Sequence, residues 1–377
     1  MHDWEQRKLG ELAEILRGAS PRPIQSSQWF NENSEVGWLR ISDVTEQNGR
    51  IHYLEQKLSK LGEAKTRVLL EPHLLLSIAA TVGKPVINYV KTGVHDGFLI
   101  FYKPNFNKEF MFQWLEMYRP KWQKYGQPGS QVNLNSKLVK AQDILIPDIE
   151  EQKIISTFLN NIELLLTLHQ RKLEQLEKLK QALLQQMFPQ KDENVPRLRF
   201  ANFDDNWEQN KLNDISDMYD NLRVPVTASD RVAGDTPYYG ANGIQDYVRG
   251  YTHMGEYVLI AEDGANDLVN YPVHYVTGKV WINNHAHVIR GIEGKLNNLF
   301  LVSRLKSMNL IPWLVGGGRA KLNGDVLKKL PLLIPYSEEQ QKIGAYFKYF
   351  DDIITLHRKN LEDLGLIKQS LLQDLFI

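Results

Sequence analysis

The chain has 377 residues, equal numbers of basic and acidic side chains (45 each) and no cysteine. This length allows two or three domains with their own cores, and a chain without cysteine forms neither disulfides nor thiolate metal sites. No apolar run is long enough to cross a bilayer, and the charged N-terminus lacks the apolar core of a signal peptide. These features predict a cytoplasmic protein that has no membrane partner.

The N-terminal part, residues 1–149, predicts a mixed, β-rich globular domain. Short β-rich runs alternate with Gly, Asn, Asp and Pro turns, and a helix is expected at 108–118. The window 117–142 contains five basic residues and no acidic one, and it includes the amide-rich loop 126–135. A local basic face on a neutral protein is compatible with DNA binding.

A long helix is predicted next, over residues 150–188. A short apolar strand ends at Pro147, a capping-box pattern links Asp148 to Glu151, and Pro189 stops the helix. At 1.5 Å per residue, such a helix would be roughly 55 to 60 Å long. A coiled coil is indicated by its heptad stripe, which comprises Ile155, Leu159, Ile162, Leu166, His169, Leu173, Leu176, Leu183 and Met187.

The second half follows the same plan. A linker is predicted over 189–202, a second mixed, β-rich domain over 203–337 and a C-terminal long helix over 338–377. The window 294–324 again carries five basic residues and no acidic one, and it contains the glycine-rich loop 316–323. Both windows lie just before a long helix.

The two long helices are copies of each other. Residues 145–188 recur without a gap as 333–376, with 19 of 44 positions identical, and Trp4-Glu5-Gln6 recurs as Trp207-Glu208-Gln209. The globular parts between these shared edges do not match. We therefore predict an α+β fold in which two different globular domains are joined by two long antiparallel helices, a coiled coil with an internal pseudo-twofold repeat. The alternative is that each helix packs on its own domain, which would leave much of its apolar stripe exposed.

Four histidines merit separate interpretation. His169 and His357 are equivalent by the repeat and would meet at the centre of an antiparallel helix pair, where we expect a polar layer that fixes register. A metal-binding or pH-sensing role is the alternative. His285 and His287 share a strand face, but the sequence offers no evident third ligand. A structural or DNA-facing role is favoured for them, so no metal site is predicted.

Catalytic motifs are missing from the sequence. It has no GxxxxGK[ST] phosphate loop, no [DNS]PP[YFW] of the kind used by adenine-N6 methyltransferases and no HExxH. Its polar and basic loops suit DNA recognition, because Asn and Gln pair with adenine while Arg and Lys pair with guanine or phosphate. Ordinary surface loops are the competing interpretation. The candidate DNA contacts are Arg22, Arg40, Ser42, Arg119, Lys121, Lys124, Gln127, Ser130, Gln131, Asn133, Tyr239, Asn242, Arg304, Arg319, Lys321 and Asn323.

Several motifs in order along the chain resemble those of one family. They include Trp38-Leu39-Arg40-Ile41-Ser42-Asp43, Gly129-Ser130-Gln131, Ile146-Pro147 with Glu150-Glu151-Gln152, and Tyr239-Gly240-Ala241-Asn242-Gly243-Ile244. With the two Trp-Glu-Gln motifs they span nearly the whole chain. The chain thus resembles the specificity subunit of a type I restriction-modification enzyme.

The resemblance implies a function as well as a fold. Two target-recognition domains would each read one half of an asymmetric, split sequence in double-stranded DNA. The helices would set the gap and bind methylation subunits, two in number, and nuclease-translocase subunits would complete the complex. This chain would be non-catalytic and bind no cofactor, with S-adenosylmethionine, ATP and Mg²⁺ held by the partners. A coiled-coil protein-interaction scaffold without DNA specificity is the main alternative, and an enzyme with an unrecognised site is a third.

Overall fold

The computed structural model describes residues 4–122, 134–190, 192–317 and 320–376. The chain divides into two compact units. The first unit comprises Met1–Leu168 with Asn360–Ile377, and the second comprises His169–Lys359. Within the described ranges, no helix is both long enough and apolar enough to cross a membrane.

The strands of the first unit are short and largely apolar. Their bounds are β1 (Glu5–Lys8), β2 (Glu14–Arg17), β3 (Gly37–Trp38), β4 (Arg50–Ile51), β5 (Arg67–Leu69), β6 (Leu74–Ser77), β7 (Pro85–Asn88), β8 (Thr92–Val94), β9 (Phe98–Tyr102) and β10 (Asp143–Ile146). A five-stranded sheet has the order β2-β9-β6-β7-β4, a three-stranded sheet the order β3-β8-β5, and β1 pairs with β10. All residues of β6 and β7 are buried. Apart from the terminal Ser77 and Asn88 these runs are apolar, which is typical of strands covered on both faces.

Six α-helices begin among the described residues of the first unit, one of them long and five shorter. They are α1 (Leu9–Leu12), α2 (Ile41–Glu46), α3 (Lys60–Glu63), α4 (Lys108–Trp122), α5 (Ser136–Lys140) and α6 (Ile149–Gln186), the last of which continues into the second unit. Asn107 caps α4, since its Oδ1 accepts from the Phe110 backbone N–H at 3.0 Å. The inner face of α4 covers the five-stranded sheet with buried Phe110, Met111, Phe112, Trp114 and Leu115.

The second unit is built around a different sheet. Its strands are β11 (Glu208–Lys211), β12 (Ser216–Met218), β13 (Ala233–Gly240), β14 (Gly243–Val248), β15 (His253–Ala261), β16 (Val273–Ile282), β17 (Ala286–Gly291) and β18 (Pro331–Ile334). Six of them form a sheet of order β12-β17-β15-β16-β13-β14, and β11 pairs with β18. Its helices are α7 (Leu212–Ile215), α8 (Asn298–Ser307), α9 (Gly324–Lys328) and α10 (Ser337–Leu375), which ends in the first unit.

A common frame closes each globular part. In the first unit β1 pairs antiparallel with β10, Glu5 opposite Ile146. In the second unit β11 pairs with β18 in the same register, Glu208 opposite Ile334. These strands are the shared edges of the repeat, so the segments that recur in the sequence pair with each other in space. We call β1 with β10, and β11 with β18, the closing pairs.

A buried glutamine fastens each closing pair to the next helix. Gln152 accepts from the Asn107 backbone N–H at 2.8 Å and donates to the Pro147 carbonyl at 2.8 Å. Gln340 accepts from the Asn297 N–H at 2.9 Å, and it donates to the Pro335 carbonyl at 2.9 Å and the Lys295 carbonyl at 3.0 Å. Asn107 and Asn297 are the residues that cap α4 and α8. The Glu-Glu-Gln motif therefore has a structural role at the start of each long helix.

The long helices pack against each other and run antiparallel. In the second unit His169 of α6 contacts His357 of α10, and Lys180, further along α6, pairs with Asp351, which comes earlier in α10. The predicted α+β fold with two antiparallel long helices is confirmed. The alternative, in which each helix packs only on its own domain, does not hold, because these contacts join the two helices directly.

The end of each long helical copy enters an aromatic cluster. In the second unit the Phe188 ring lies 5.9 Å from the Trp207 ring and 5.7 Å from the Phe300 ring, measured between centroids. In the first unit the Phe376 ring lies 6.5 Å from the Trp4 ring and 5.2 Å from the Phe110 ring. Trp4 and Phe376 therefore lie close together within the first unit, as Trp207 and Phe188 do within the second.

Candidate nucleic-acid interface

Six candidate contacts fall outside the described residues. They are Lys124, Gln127, Ser130, Gln131, Asn133 and Arg319. The predictions for these positions stand as they were made from the sequence. The remaining ten candidates occupy several separate places in the two units.

Arg40 is committed to a local structural role. Its guanidinium lies 2.8 Å from an Asp43 oxygen and 3.2 Å from Glu55, and its backbone N–H donates to Asp43 at 2.8 Å. The hydrogen bond to Asp43 raises the pKa of Arg40 above its ordinary value. Ser42, in the first turn of α2, is exposed. Arg22 is more accessible, with its side chain 72% exposed and paired to Asp96 at 2.9 Å. Arg22 and Ser42 are therefore more exposed to solvent than Arg40.

The basic end of α4 directly precedes residues 123–133. Arg119 is partly exposed and Lys121 is exposed, and the Lys121 ammonium lies 5.0 Å from the centroid of the Tyr118 ring. A cation in the last turn of a helix also interacts favourably with the helix dipole, which is the structural reason for finding basic residues here. The two cations nevertheless come just before, in sequence, the amide-rich loop predicted to contact DNA.

The Tyr239–Gly243 motif forms the hairpin turn between β13 and β14. Gly240 is paired with Gly243, whose φ of +110° favours glycine. Asn242 is exposed, but its amide donates to the Gly264 carbonyl at 2.9 Å and accepts from the Asn266 N–H at 3.0 Å. Burial raises the pKa of the half-buried Tyr239. Asn242 thus ties the hairpin turn to the loop that follows β15.

Lys321 belongs to an ionic network that the sequence did not reveal. Its ammonium lies 2.8 Å from Glu262, and Glu262 also pairs with Arg223 at 2.7 Å. The Lys321 backbone exchanges two hydrogen bonds with Val315, which closes the base of the glycine-rich loop. Asn323, at the start of α9, is partly exposed, and its carbonyl accepts from the Leu327 N–H at 2.9 Å. The network therefore holds the base of this loop to Glu262, the residue that directly follows strand β15.

His287 is a further member of this network. Its Nδ1 lies 2.5 Å from an Asp220 oxygen, and its Nε2 lies 2.8 Å from the Leu322 carbonyl. Burial would raise the pKa of Asp220, but His287, the Val288 backbone N–H and Arg223 together outweigh this effect and the pKa is lowered. With Glu262, these side chains place three possible metal-ligand atoms within 4.8 Å of one another. Because Arg223 pairs with both carboxylates, the arrangement favours an ion-pair network over a metal site.

The sequence prediction did not find the carboxylate partners of these histidines. His285 likewise pairs with Asp263 at 2.5 Å. Asp220 and Glu262 lie far from His287 in sequence, and only the order of the strands brings them together. No local spacing signals such a contact.

Arg304 lies in the interior and not on the basic surface expected of it. It is only 8% exposed, and its guanidinium carbon lies 5.9 Å from the centroid of the Phe188 ring. Burial lowers its pKa to about 10. The physical reason is its position one helical turn after the buried Phe300, which places it on the inner face of α8. This position leaves little of the side chain to meet DNA.

His169 and His357 meet as the repeat predicts. Their Nδ1 atoms are 2.9 Å apart and both rings are partly exposed. Burial and the neighbouring His169 lower the pKa of His357. A neutral pair can share one hydrogen bond, because one Nδ1 donates and the other accepts. The contact makes a polar layer in the helix pair, and its role in fixing the register stays a prediction.

Comparison with known proteins places this frame in one family. The model of the type I restriction modification DNA specificity domain matches residues 1–178 and 204–365. A putative type I restriction enzyme specificity subunit of Haemophilus influenzae is 52% identical over 136 residues, which are 36% of this chain and 35% of the relative. The EcoprrI specificity subunit of Escherichia coli is 22% identical over 362 residues, which cover 92% of this chain and 87% of that protein.

Solved structures show the same fold. The S subunit of a type I restriction-modification system from M. genitalium has a TM-score of 0.70 at 13% identity, covering 100% of this chain and 96% of that one. Because the family model matches both globular parts and most of both long helices, this protein belongs to the type I restriction-modification DNA specificity family.

Proposed function

We propose that each globular part reads one half of an asymmetric, split sequence in double-stranded DNA. Residues 1–149 and 203–337 would be the two target-recognition domains. One observation supports this proposal: closing pairs of the same register, each fastened by an equivalent glutamine, enclose two unlike sheets. Repeated closing pairs and helices around two different domains suit a protein that presents two different recognition surfaces in the same way.

The long helices would determine the gap between the two half-sites. They are predicted over 150–188 and 338–377, with 189–202 as the linker. Because a rigid helix pair holds its ends at a fixed separation, helix length becomes a fixed number of unread base pairs. The same helices would bind the methylation subunits, and the repeat supports two copies of that subunit, one for each helical copy.

This chain would be the non-catalytic subunit of the complex. The sequence lacks the motifs for nucleotide hydrolysis and methyl transfer. S-adenosylmethionine, ATP and Mg²⁺ would be held by the methylation subunits and the nuclease-translocase subunits. The chain's own contribution is to bind and orient DNA through the exposed basic and polar groups at the end of α4 and in the loops of the second unit.

A methylation assay tests the proposal directly. The chain would be purified with its methylation subunits, supplied with S-adenosylmethionine and incubated with genomic DNA, and the methylated adenines would be mapped by single-molecule sequencing. We expect one split, asymmetric motif, and exchange of residues 189–332 for those of a relative should change one half of it only. A stable complex that methylates no motif, and whose partner binding survives nuclease treatment, would favour the protein-interaction scaffold.

A further inference from the structure

Two ion pairs between the long helices are related by the repeat. In the first unit, Glu163 of α6 pairs with Lys368 of α10 at 2.7 Å. In the second unit, Asp351 of α10 pairs with Lys180 of α6. Glu163 and Asp351 are 188 positions apart, as are Lys180 and Lys368, so each pair is the repeat equivalent of the other. The sequence alignment shows these charges but not that they meet.

Each of these carboxylates also meets a cation from the neighbouring globular part. Arg50, in strand β4, lies 2.9 Å from Glu163. Lys306, in helix α8, lies 3.7 Å from Asp351. The two cations come from unlike elements, a strand and a helix, and are not equivalent in the repeat. Both globular parts therefore show the same arrangement. A carboxylate on one long helix contacts a cation on the other long helix and a second cation from the globular part.

In the first unit, the cation of the globular part makes additional contacts. Arg50 also donates to Asn160 of α6 at 3.0 Å and pairs with Glu109 of α4 at 2.5 Å. The Arg50 and Glu163 side chains are 22% and 18% exposed, so this network is shielded from salt better than a surface pair. Burial alone would raise the pKa of Glu163, but Lys368 and Arg50 outweigh it and the pKa is lowered.

A domain cannot shift along the helices without separating these charges. Sliding by one residue of helix would move the carboxylate about 1.5 Å and rotate it away from its partner. Removing one partner of a partly buried ion pair leaves the other charge uncompensated, which costs more than the pair itself contributes. The shared carboxylate thus resists both sliding and rotation of the domain on the helix pair.

We propose that Glu163 and Asp351 are positioning residues that fix each recognition domain on the helix pair and thereby set the gap between the half-sites. This inference rests on the proposed reading of a split DNA target. It adds that the gap depends on two ionic joints as well as on helix length. We call Glu163 with Lys368 and Arg50 the first joint, and Asp351 with Lys180 and Lys306 the second joint.

A charge exchange separates the two functions of the second joint. The double variant Asp351→Lys with Lys180→Asp keeps opposite charges between the helices, but it places a lysine against Lys306. A matched control exchanges the exposed surface pair Asp325 and Lys328, which are 3.7 Å apart on α9. Asp351→Glu is the conservative variant, because it keeps both contacts within reach.

The readout is the range of gaps that the complex methylates. Substrates would carry both half-sites with the native gap or with a gap one base pair longer or shorter. We expect the exchanged chain to methylate the altered gaps at least ~10-fold faster than the wild type, a change of about 1.4 kcal/mol in relative preference. The half-site sequences should stay the same. The control exchange and Asp351→Glu should keep the native gap preference.

The outcomes distinguish this inference from the proposed function. If the wild-type complex methylates no split motif, the proposed function itself fails. If the wild type does so and the exchanged chain assembles with an unchanged gap preference, the joint is merely structural and the inference is overturned. Should the exchanged chain not assemble, Lys306→Gln decides in its place, because it removes the domain cation and leaves the ion pair between the helices intact.

Discussion

Replacing Gln340 by methionine should destabilise the second unit through lost hydrogen bonds rather than lost volume. Gln340 is 2% exposed, and its amide accepts from the Asn297 N–H and donates to the Lys295 and Pro335 carbonyls. Methionine fills similar space but replaces none of these bonds. An unsatisfied buried polar group costs about 1 to 3 kcal/mol, so three of them predict a loss of at least ~3 kcal/mol.

The repeat supplies an internal comparison for this estimate. Gln152 makes two hydrogen bonds where Gln340 makes three, so Gln152→Met should cost about 2 kcal/mol, roughly 1 kcal/mol less. Gln341, the next residue, is exposed, and Gln341→Met should change stability by less than about 0.5 kcal/mol.

Urea denaturation of the purified chain measures these differences. The free energy of unfolding would be obtained for each variant from the midpoint and the slope of the transition. The reasoning fails if Gln340→Met is as stable as Gln341→Met, or if Gln152→Met proves the more damaging of the two buried substitutions.

Three further predictions follow from individual contacts. Burial lowers the pKa of His274 from 6.5 to about 4, so the unfolded chain binds the proton more tightly and stability falls as the pH drops from 6.5 towards 4. His274→Leu should reduce this acid loss by up to about 3 kcal/mol, measured as unfolding free energy against pH, whereas an unchanged slope would refute it. Lys121→Ala should weaken DNA binding for all sequences and lower the slope of log affinity against log salt by about 0.9, while Lys328→Ala leaves that slope unchanged. Asn242→Ala removes the hydrogen bond to the Gly264 carbonyl and should relax the base preference in only one half of the methylated motif. An unaltered motif would count against a positioning role for Asn242.

The frame of the fold could be predicted because its information is repeated in the sequence. Two copies of one helix with shared edges predicted both the antiparallel pair and the meeting of His169 with His357. Phe376 contacts Trp4 as its repeat equivalent Phe188 contacts Trp207. An internal repeat acts as a second observation of the same structural unit, which a single copy does not provide.

The contacts inside the two globular domains could not be predicted in the same way. Asp220, Glu262 and His287 meet because β17 lies between β15 and β12 in the sheet and Asp220 comes just after β12, an order that no local pattern encodes. Arg304 is different, since a signal was present in the sequence. It follows the apolar Phe300 by four residues on a helix, a spacing that indicates the buried face, whereas basic composition alone suggested a surface.

Replacing the whole domain enclosed by the second closing pair tests whether DNA specificity lies in the enclosed domains or in the closing pairs and helices. Residues 212–330 would be replaced by residues 9–142, which leaves both strands of the second closing pair in place. In the chimera Asn107 would face Gln340, and Arg50 would come to Asp351 as it now comes to Glu163. The inserted domain would therefore find both of its native attachment points.

Two copies of one recognition domain on a pseudo-twofold frame should read two identical half-sites in inverted order. The methylated motif mapped on genomic DNA should then change from asymmetric to palindromic, because operator symmetry mirrors protein symmetry. The first half of the motif should keep its sequence, and the gap should stay within about one base pair of the native one, since the helices are unchanged. A chimera that assembles with methylation subunits but retains the original second half-site would show that specificity lies outside the enclosed domains. In that case the frame itself would have to contact the bases.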